Sequence, residues 1–245
     1  MMYDIIGDIH GCKEELLELL HKLGYDTPSL QHNSSRTPIF LGDLTDRGPE
    51  SIETIKLVST WVKNGLALYC PGNHCNKLYR YFLGNKVQIT HGLETTVEEL
   101  HAIPSKEREN IATMFKELYE SAPLYLKLNQ LVIAHAGIRY DFIGSNSGRV
   151  KRFALYGDIT GEFDEKGRPI RRDWPSLYPQ GEETVVYGHT PVMEPRVIGN
   201  TVNIDTGCVF GNKLTAYQYP EATFVSVPSK QPFHESYKEK FPFDF

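Results

Sequence analysis

The sequence predicts an α/β fold in which one edge of a sheet carries a functional site. Three strand–loop–helix units follow one another between residues 3 and 83, and polar residues come directly after each strand. From residue 124 onward the pattern changes to mostly strands. Ligands bind at the carboxyl ends of the strands in open α/β sheets. The fold class and the place of the site are therefore predicted together.

Apolar runs and turn residues locate the elements of the first half. The run 3–6 precedes a loop with two glycines, and leucines at helical spacing fill 14–23. Segment 27–37, rich in Ser, Asn and Pro, is interpreted as a loop. The last two predicted helices are expected to flank the sheet as a cap. The predicted strands are 3–6, 38–41 and 66–69, and the predicted helices are 14–23, 49–63, 76–83, 91–103 and 105–119.

The second half is predicted to be mainly β-structure. Segment 139–181 contains Gly, Pro and many basic residues, and is interpreted as a functional insertion with little regular structure. The tail from Pro228 is expected to wrap the surface or fray, and a single domain covering residues 1–245 is expected. The predicted strands are 131–134, 184–187, 196–204, 213–219 and 223–227.

Composition excludes several classes of protein. A formal net charge of -5 and a pI near 6.0 provide no overall field that attracts nucleic acid. The longest apolar runs are too short to cross a membrane, and no signal peptide precedes the first strand, so we expect no membrane partner and a cytoplasmic location. The cysteines lack CxxC spacing, and we interpret them as free thiols of a reducing compartment. They are Cys12, Cys70, Cys75 and Cys208.

The residues that follow the predicted strands share one type of chemistry. All are carboxylate, amide or imidazole donors, a set that suits divalent Mn, Fe, Ni, Co or Zn. They are too many for one tetrahedral ion and suit two ions that share a carboxylate. A lone histidine at a strand end is more often structural, but five such strand ends, each beside a glycine, are hard to explain as coincidence. The residues are Asp8, His10, Asp43, Asn73, His74, His135 and His189.

The stretch 39–48 places two carboxylates and a guanidinium after a single strand. Asp43 directly follows the strand, and Asp46 and Arg47 lie on the turn. The alternative explanation is a polar loop with an incidental, solvated ion pair. The other strand ends favour chemistry, because similar donors recur at each of them.

Five motifs together resemble the phosphoprotein phosphatase branch of the metallophosphoesterases. They occur in that family's order between residues 7 and 190. The resemblance implies a four-layer calcineurin-like domain with two mixed β-sheets flanked by helices, and two divalent ions per chain. It also implies that Asp8, His10 and Asp43 bind one ion, and that Asp43, Asn73, His135 and His189 bind the other. The motifs are GDIHG at 7–11, GDLTDRG at 42–48, GNH at 72–74, HAG at 135–137 and YGHT at 187–190.

The same resemblance implies roles for three further residues. His74 would be the general acid or transition-state stabiliser, oriented by Asp46. Arg47 would bind phosphate oxygens through its fork of N–H donors. One departure is visible, since Cys75 stands where much of the family has Glu. We interpret Cys75 as a small buried thiol rather than a nucleophile.

Longer strings resemble the PrpE-type bis(5'-nucleosyl)-tetraphosphatases. This closer resemblance implies asymmetric hydrolysis of a dinucleoside tetraphosphate to a nucleoside monophosphate and triphosphate by metal-bound hydroxide. It implies nucleotide binding, GTP included, and Ni or Mn as favoured metals, with Co, Fe or Zn as alternatives. One rival hypothesis is a protein phosphatase acting on phosphotyrosine or phosphoserine with the same site, and another is an inactive nucleotide-binding protein. The strings are 72–81, 91–96, 167–174 and 203–211.

A tetraphosphate requires cations beyond the metal pair. Solvated surface charge is the alternative for each candidate, and Arg171 or Arg172 is favoured because the family places a second phosphate-binding arginine in that region. Tyr79 and Tyr81 could stack on a nucleobase or pack in the interior, and Asp205 could support a metal-bound histidine or belong to a turn. The candidate cations are Lys77, Arg80, Lys151, Arg152, Arg171 and Arg172.

Overall fold

Two five-stranded mixed sheets form the centre of the molecule. The computed structural model describes residues 1–27, 29–165, 167, 169–233 and 235. The strands are β1 (Tyr3–Ile6), β2 (Tyr25–Asp26), β3 (Gln31–His32), β4 (Thr37–Gly42), β5 (Leu68–Pro71), β6 (Leu126–Leu128), β7 (Leu131–Ile133), β8 (Ile159–Phe163), β9 (Pro169–Arg171), β10 (Thr184–Tyr187), β11 (Arg196–Ile198), β12 (Thr201–Asn203), β13 (Lys213–Tyr219) and β14 (Thr223–Pro228). The helices are α1 (Lys13–Leu23), α2 (Ser51–Lys63), α3 (Asn73–Phe82), α4 (Leu93–Ala102), α5 (Ser105–Ser121) and α6 (Gly148–Tyr156).

The first sheet has the order β14-β13-β1-β4-β5 and the second the order β11-β12-β10-β7-β6. Each sheet contains three adjacent parallel strands, β1, β4 and β5 in the first and β7, β10 and β12 in the second. Ile5 and Ile39 are register partners, and both face an apolar layer that also contains Ile133 and Val186 of the second sheet. The two sheets therefore pack face to face.

Strand alternation places the helices on the outside. Ile6 and Phe40, each next in sequence to a residue of the inner layer, join the outer cluster with α1 and α2. The Phe40 ring stacks on Trp61 at a centroid distance of 5.8 Å. Burying each such side chain contributes roughly 1.5–3 kcal/mol. On the far side, Val132 of β7 packs with α6, which completes a helix–sheet–sheet–helix order of four layers.

The predicted fold class is confirmed, and three strands have the predicted bounds, Tyr3–Ile6, Thr184–Tyr187 and Lys213–Tyr219. Helices α4 and α5 pack against α2, as a flank outside the sheets. Within the described residues no helix has the length and apolar character required to span a membrane.

Several predicted segments were wrong in detail. Helix α3 begins at Asn73 rather than at residue 76, and the predicted strand 196–204 is a hairpin that turns at Gly199, where φ is +53°. Segment 139–181 is not irregular, because it contains α6 and the β8–β9 hairpin. Loop 27–37 contains β3, which pairs with β2.

The predicted course of the tail is supported as far as the structure describes it. Lys230 donates its backbone N–H to Glu15 Oε1 on α1 at 2.8 Å. The tail after Val227 thus lies against α1 at this point. Residues 234 and 236–245 lie outside the described residues.

Candidate metal centre

The six predicted metal ligands meet where the carboxyl ends of both sheets converge. Asp8 follows β1 and Asp43 follows β4 in the first sheet, whereas His135 and His189 come after β7 and β10 in the second. Asn73 is the first residue of α3, which follows β5. The parallel strands of each sheet end at the same edge, so the polar residues that follow them become neighbours in space.

Asp8 connects the two sheets. Its Oδ1 accepts the backbone N–H of Asp43 at 2.9 Å, and its Oδ2 accepts the backbone N–H of His189 at 3.0 Å. The same Oδ1 lies 3.1 Å from His135 Nδ1. Gly42 allows this approach, because a Cβ there would lie 2.4 Å from Asp8 Oδ1. Any larger residue at position 42 would displace the cluster.

Asp43 occupies the centre of the cluster. Its Oδ1 accepts the backbone N–H of His74 at 2.9 Å. Its Oδ2 lies 3.4 Å from His135 Nε2 and 3.9 Å from His10 Nε2. Two groups of potential ligands, one with His10 and the other with His135 and His189, share this carboxylate. Its position between them suits a bridging ligand.

The second group is closely packed. His135 Nε2 lies 2.9 Å from Asn73 Oδ1 and 3.0 Å from His189 Nδ1. Among the described residues, the buried His189 Nε2 has no hydrogen-bond partner, and His135 Nδ1 lies 3.1 Å from Asp8 Oδ1 without the geometry of a hydrogen bond. Buried polar atoms are normally satisfied, so imidazole nitrogens without hydrogen-bond partners beside carboxylates fit a site for cations.

The electrostatics of the cluster also favour bound cations. Burial raises the pKa of Asp43 to about 7, and the nearby Asp8 carboxylate adds to this rise. Burial and the adjacent Asp8 raise the pKa of Asp205 well above its ordinary value. Burial lowers the pKa of His10 and His189 far below the usual range. Against the effect of burial, the Asp43 and Asp8 carboxylates raise the pKa of His135 to about 9, so a bound cation would displace its proton. Neutral imidazoles are the form that binds metal, and positive ions would relieve the repulsion between the carboxylates.

Asp46, Arg47 and His74 form a connected set beside these ligands. His74 Nδ1 lies 2.7 Å from Asp46 Oδ2, and Arg47 Nη2 lies 2.8 Å from His74 Nε2. The other terminal nitrogen of Arg47 lies 2.6 Å from His10 Nε2. Asp46 and Arg47 both have positive φ angles, 75° and 72°. Such strained backbone is typical of functional sites.

A cavity of about 900 Å³ opens above the cluster. Its lining includes His10, Asp43, Asn73, His74 and His189 from the cluster, together with Arg47. Six additional cations, four of them predicted from the sequence, also line it, and one of the six, Arg196, is paired with Asp173 at 2.7 Å. They are Lys77, Arg80, Lys86, Arg171, Arg172 and Arg196.

Comparison with known proteins decides the family. The sequence profile of the calcineurin-like phosphoesterases matches residues 1–216. This chain belongs to the calcineurin-like phosphoesterase family. The family implies divalent metal ions at the cluster, and the donor set fits them.

Curated relatives and solved structures agree with this family. A protein of Oceanobacillus iheyensis is 60% identical over 95% of this chain and 94% of its own, and one of Bacillus subtilis is 55% identical over 96% and 98%. Both are named bis(5'-nucleosyl)-tetraphosphatase PrpE [asymmetrical]. The predicted resemblance to this group is therefore confirmed.

Among solved structures, a candidate diadenosine tetraphosphatase has a TM-score of 0.66 at 22% identity, covering 94% of this chain and 95% of its own. A protein serine/threonine phosphatase of Saccharomyces cerevisiae has a TM-score of 0.62 at 16% identity, covering 96% and 81%. At these identities the two structures show a shared fold.

Four residues considered from the sequence as contacts to the substrate lie outside the cavity. Tyr79 lies outside the cavity, stacked on Tyr119 at 4.4 Å, and its hydroxyl donates to Glu120 at 2.8 Å. Tyr79 therefore packs against its own protein, and it is not placed to stack on a base bound in the cavity. Tyr81 also packs against the outer apolar cluster. The exposed α6 residues Lys151 and Arg152 lie away from the cavity lining.

The structure adds residues that sequence reasoning missed. Lys86 lines the cavity, and Phe210 lies 5.4 Å beneath the Arg47 guanidinium. Asp205, considered only as a turn or support residue, is 4% exposed and lines the cavity beside the ligands. Thr96 donates to Asp46 Oδ1 at 2.7 Å. Thr96 lies in the string 91–96 that carries the resemblance, but its contact with Asp46, like the position of Lys86 in the cavity, depends on segments distant in sequence.

Cys75 is a buried thiol, as interpreted. It is fully buried, and burial raises its pKa to about 12. Its sulfur accepts the backbone N–H of Leu44 at 3.4 Å. A neutral thiol with this contact supports the loop after β4 and is unsuited to nucleophilic attack.

Proposed function

We propose that this protein is an asymmetric bis(5'-nucleosyl)-tetraphosphatase, which hydrolyses a dinucleoside tetraphosphate to a nucleoside monophosphate and a nucleoside triphosphate. The observation that carries the proposal is the cation-lined cavity above a cluster of carboxylates and imidazoles. The names of the relatives, 55% and 60% identical, support the same substrate class.

The charges of the cavity suit a polyphosphate. The whole chain has a net charge of -5, yet seven Lys or Arg side chains and five Asp side chains line this one cavity, an excess of positive charge. A monophosphate beside Arg47 and two metal ions would not require the cations farther out, whereas a phosphate chain would. The volume of about 900 Å³ lies near the upper end of the roughly 300–1,000 Å³ usual for ligand cavities, which favours a dinucleotide.

Arg171 is the better candidate of the two adjacent arginines for binding the phosphate chain. Arg172 pairs with Asp158 at 3.1 Å, so part of its charge is already neutralised. Arg171 donates Nε to the Tyr156 carbonyl at 3.0 Å and forms no ion pair within the part of the chain that the structure describes. The carbonyl contact orients a guanidinium whose terminal N–H donors remain available to a ligand.

We infer two divalent ions per chain. Asp8, His10 and Asp43 would hold one, and the other would be held by Asp43, Asn73, His135 and His189. When bound, the ions would supply an activated water nucleophile and neutralise phosphate charge. Oxygen and imidazole donors without thiolate suit Ni or Mn, with Co, Fe or Zn as alternatives.

His74 and Arg47 would act on the substrate directly. The Asp46 carboxylate holds Nδ1 of His74 at 2.7 Å, and Nε2 accepts from Arg47 at 2.8 Å. Once the guanidinium turns to a phosphate, Nε2 would be free to carry the proton that passes to the leaving oxygen. Burial and the Arg47 charge lower the pKa of His74 well below its ordinary value, and the charge of a bound anionic substrate would act in the opposite direction. The Arg47 guanidinium can bind two phosphate oxygens at once.

Four buried free cysteines support the proposed cytoplasmic location, because an oxidising compartment favours disulfides.

Product analysis tests the proposed reaction. Protein reconstituted with Mn, Ni or Co is given a dinucleoside tetraphosphate or a phosphotyrosyl peptide at equal enzyme concentration. We expect a nucleoside monophosphate and triphosphate as products. Two nucleoside diphosphates would contradict asymmetric cleavage, and faster turnover of the peptide would favour the protein phosphatase alternative. No turnover of either substrate with any metal would refute the enzyme hypothesis.

A further inference from the structure

We propose that Thr96 is a positioning residue for the His74 acid, acting through Asp46. The inference rests on the proposed function, because it concerns the same chemical step. Thr96 lies on α4, a helix that contributes no ligand to the candidate metal centre. Its hydroxyl does not line the cavity and contacts Asp46 and, at 3.1 Å, Ser51 Oγ, so its link to His74 runs through Asp46.

The Asp46 carboxylate divides its two oxygens between two partners. Oδ1 accepts from the Thr96 hydroxyl at 2.7 Å, and Oδ2 lies 2.7 Å from His74 Nδ1. Asp46 and Thr96 are both fully buried, so water does not compete for either bond. Rotation of the carboxylate would break both contacts together. The orientation of the His74 ring therefore depends on the Thr96 hydroxyl.

Asp46 needs this second contact for a physical reason. The terminal torsion of an aspartate is broad, so its rotamer alone does not fix the carboxylate plane. The backbone of Asp46 is also strained, with φ at 75°. Its N–H lies 3.1 Å from the Thr96 Oγ1 and 3.1 Å from the Ser51 Oγ. Thr96 thus holds both the backbone and the carboxylate of Asp46.

Other contacts from the same helix region make the support rigid. The Gly92 carbonyl, just before α4, accepts the backbone N–H of Arg47 at 2.9 Å. The Glu99 carboxylate accepts the N–H groups of Ser51 and Ile52 at 2.8 and 2.9 Å, at the start of α2. Leu93, Val97 and Leu100 anchor α4 in the outer apolar cluster. Helix α4 therefore braces the loop that carries Asp46 and Arg47.

Substitutions of Thr96 test the inference. Thr96→Val keeps the side-chain shape and removes the hydroxyl, whereas Thr96→Ser keeps the hydroxyl. We expect Thr96→Val to lower kcat for the dinucleotide about 10- to 100-fold, a part of the roughly 10²–10⁴ that general acid catalysis contributes, with KM nearly unchanged. Thr96→Ser should retain most activity. Thr60→Val is the matched control, because Thr60 is exposed on α2 and its hydroxyl donates to the Lys56 carbonyl at 2.7 Å, and its kinetics should equal those of the wild type.

Leaving-group dependence separates positioning from a structural role. An acid assists poor leaving groups most, so the Thr96→Val defect should be larger with phenyl phosphate than with 4-nitrophenyl phosphate. Equal losses with both esters, a rise in KM at unchanged kcat, or full activity would overturn the proposal. If Thr96→Val does not fold, Thr96→Cys retains a weak donor and should show an intermediate loss of kcat with the same leaving-group trend. Because aryl phosphates contain no nucleotide, failure to hydrolyse dinucleotides would refute the proposed function without affecting this comparison.

Discussion

At the scale of single residues, the site depends on side chains whose two ends have different partners. Asp43 offers one oxygen to the backbone of α3 and the other to imidazoles of both sheets. Asp46 divides its oxygens between Thr96 and His74. Replacing a carboxylate held in this way removes its charge and also leaves its hydrogen-bond partners without the group that orients them.

Asp43→Asn tests the proposed bridge. The amide removes one negative charge and one anionic ligand, so we expect loss of at least one metal ion and an activity loss of about 100-fold or more, beyond the 10- to 100-fold typical for outer-shell partners. Metal content after gel filtration and turnover of the dinucleotide are the measurements. Asp141→Asn, an exposed aspartate paired with Arg139, is the control. Two ions and full activity in Asp43→Asn would contradict the bridging role.

Arg171→Ala and Arg172→Ala should differ. Removing Arg171 is expected to raise KM for the dinucleotide about 10-fold, as loss of a hydrogen bond to a charged group implies. Removing Arg172 should have less effect, since its guanidinium pairs with Asp158. A phosphomonoester, which is too short to reach Arg171, serves as the control substrate, and its KM should not change. A larger defect in Arg172→Ala would reverse the assignment.

At the scale of elements, a buried ion pair joins strands that are distant in sequence. Asp4 of β1 is fully buried and lies 2.9 Å from Arg36, which precedes β4. Arg36 also pairs with Glu221, between β13 and β14, at 2.8 Å. Tyr25 donates its hydroxyl to Asp4 at 2.6 Å. The pair therefore links β1, β4 and the β13–β14 hairpin at one end of the first sheet.

Arg36→Gln should destabilise the protein strongly. It leaves the buried Asp4 charge without its cation, and breaking one partner of a buried pair costs about 3–5 kcal/mol. We expect a lower urea midpoint at unchanged m-value. Lys63→Gln breaks the exposed pair with Glu117 and is expected to change the free energy of unfolding by less than about 1 kcal/mol. Similar midpoints for the two variants would show that the Arg36 pair adds little to the stability of the sheet.

At the scale of the whole molecule, the candidate metal centre is also the place where the two sheets are joined. The two sheets converge at Asp8, whose carboxylate accepts one N–H from the loop after β4 and another from the loop after β10. Asp43 and Asp205 are buried beside it. Without compensating cations these carboxylates repel one another across the sheet interface.

Metal removal should therefore lower the stability of the entire protein. An ion at 100 times its Kd stabilises the folded state by about 2.7 kcal/mol, which corresponds to a shift in Tm of about 5–10 °C for a chain of this length. Differential scanning calorimetry before and after chelation and dialysis measures the shift. Asp43→Asn should show a smaller shift on chelation. An unchanged Tm in the wild type would mean that the cluster does not couple metal binding to folding.

The sequence by itself determined the α/β class, the strand ends and the donor types of the site. These depend on local patterns, such as the apolar run before Asp8 and the motif around Asp43, and on the order of the motifs along the chain. Only the tertiary structure decided that Tyr79 packs against Tyr119, that Arg172 pairs with Asp158, and that Thr96 holds Asp46. Those contacts join residues 14–50 positions apart, and both partners must first be placed by the packing of helices and sheets. Local periodicity shows which face of an element is apolar, but not which distant side chain will meet its polar residues.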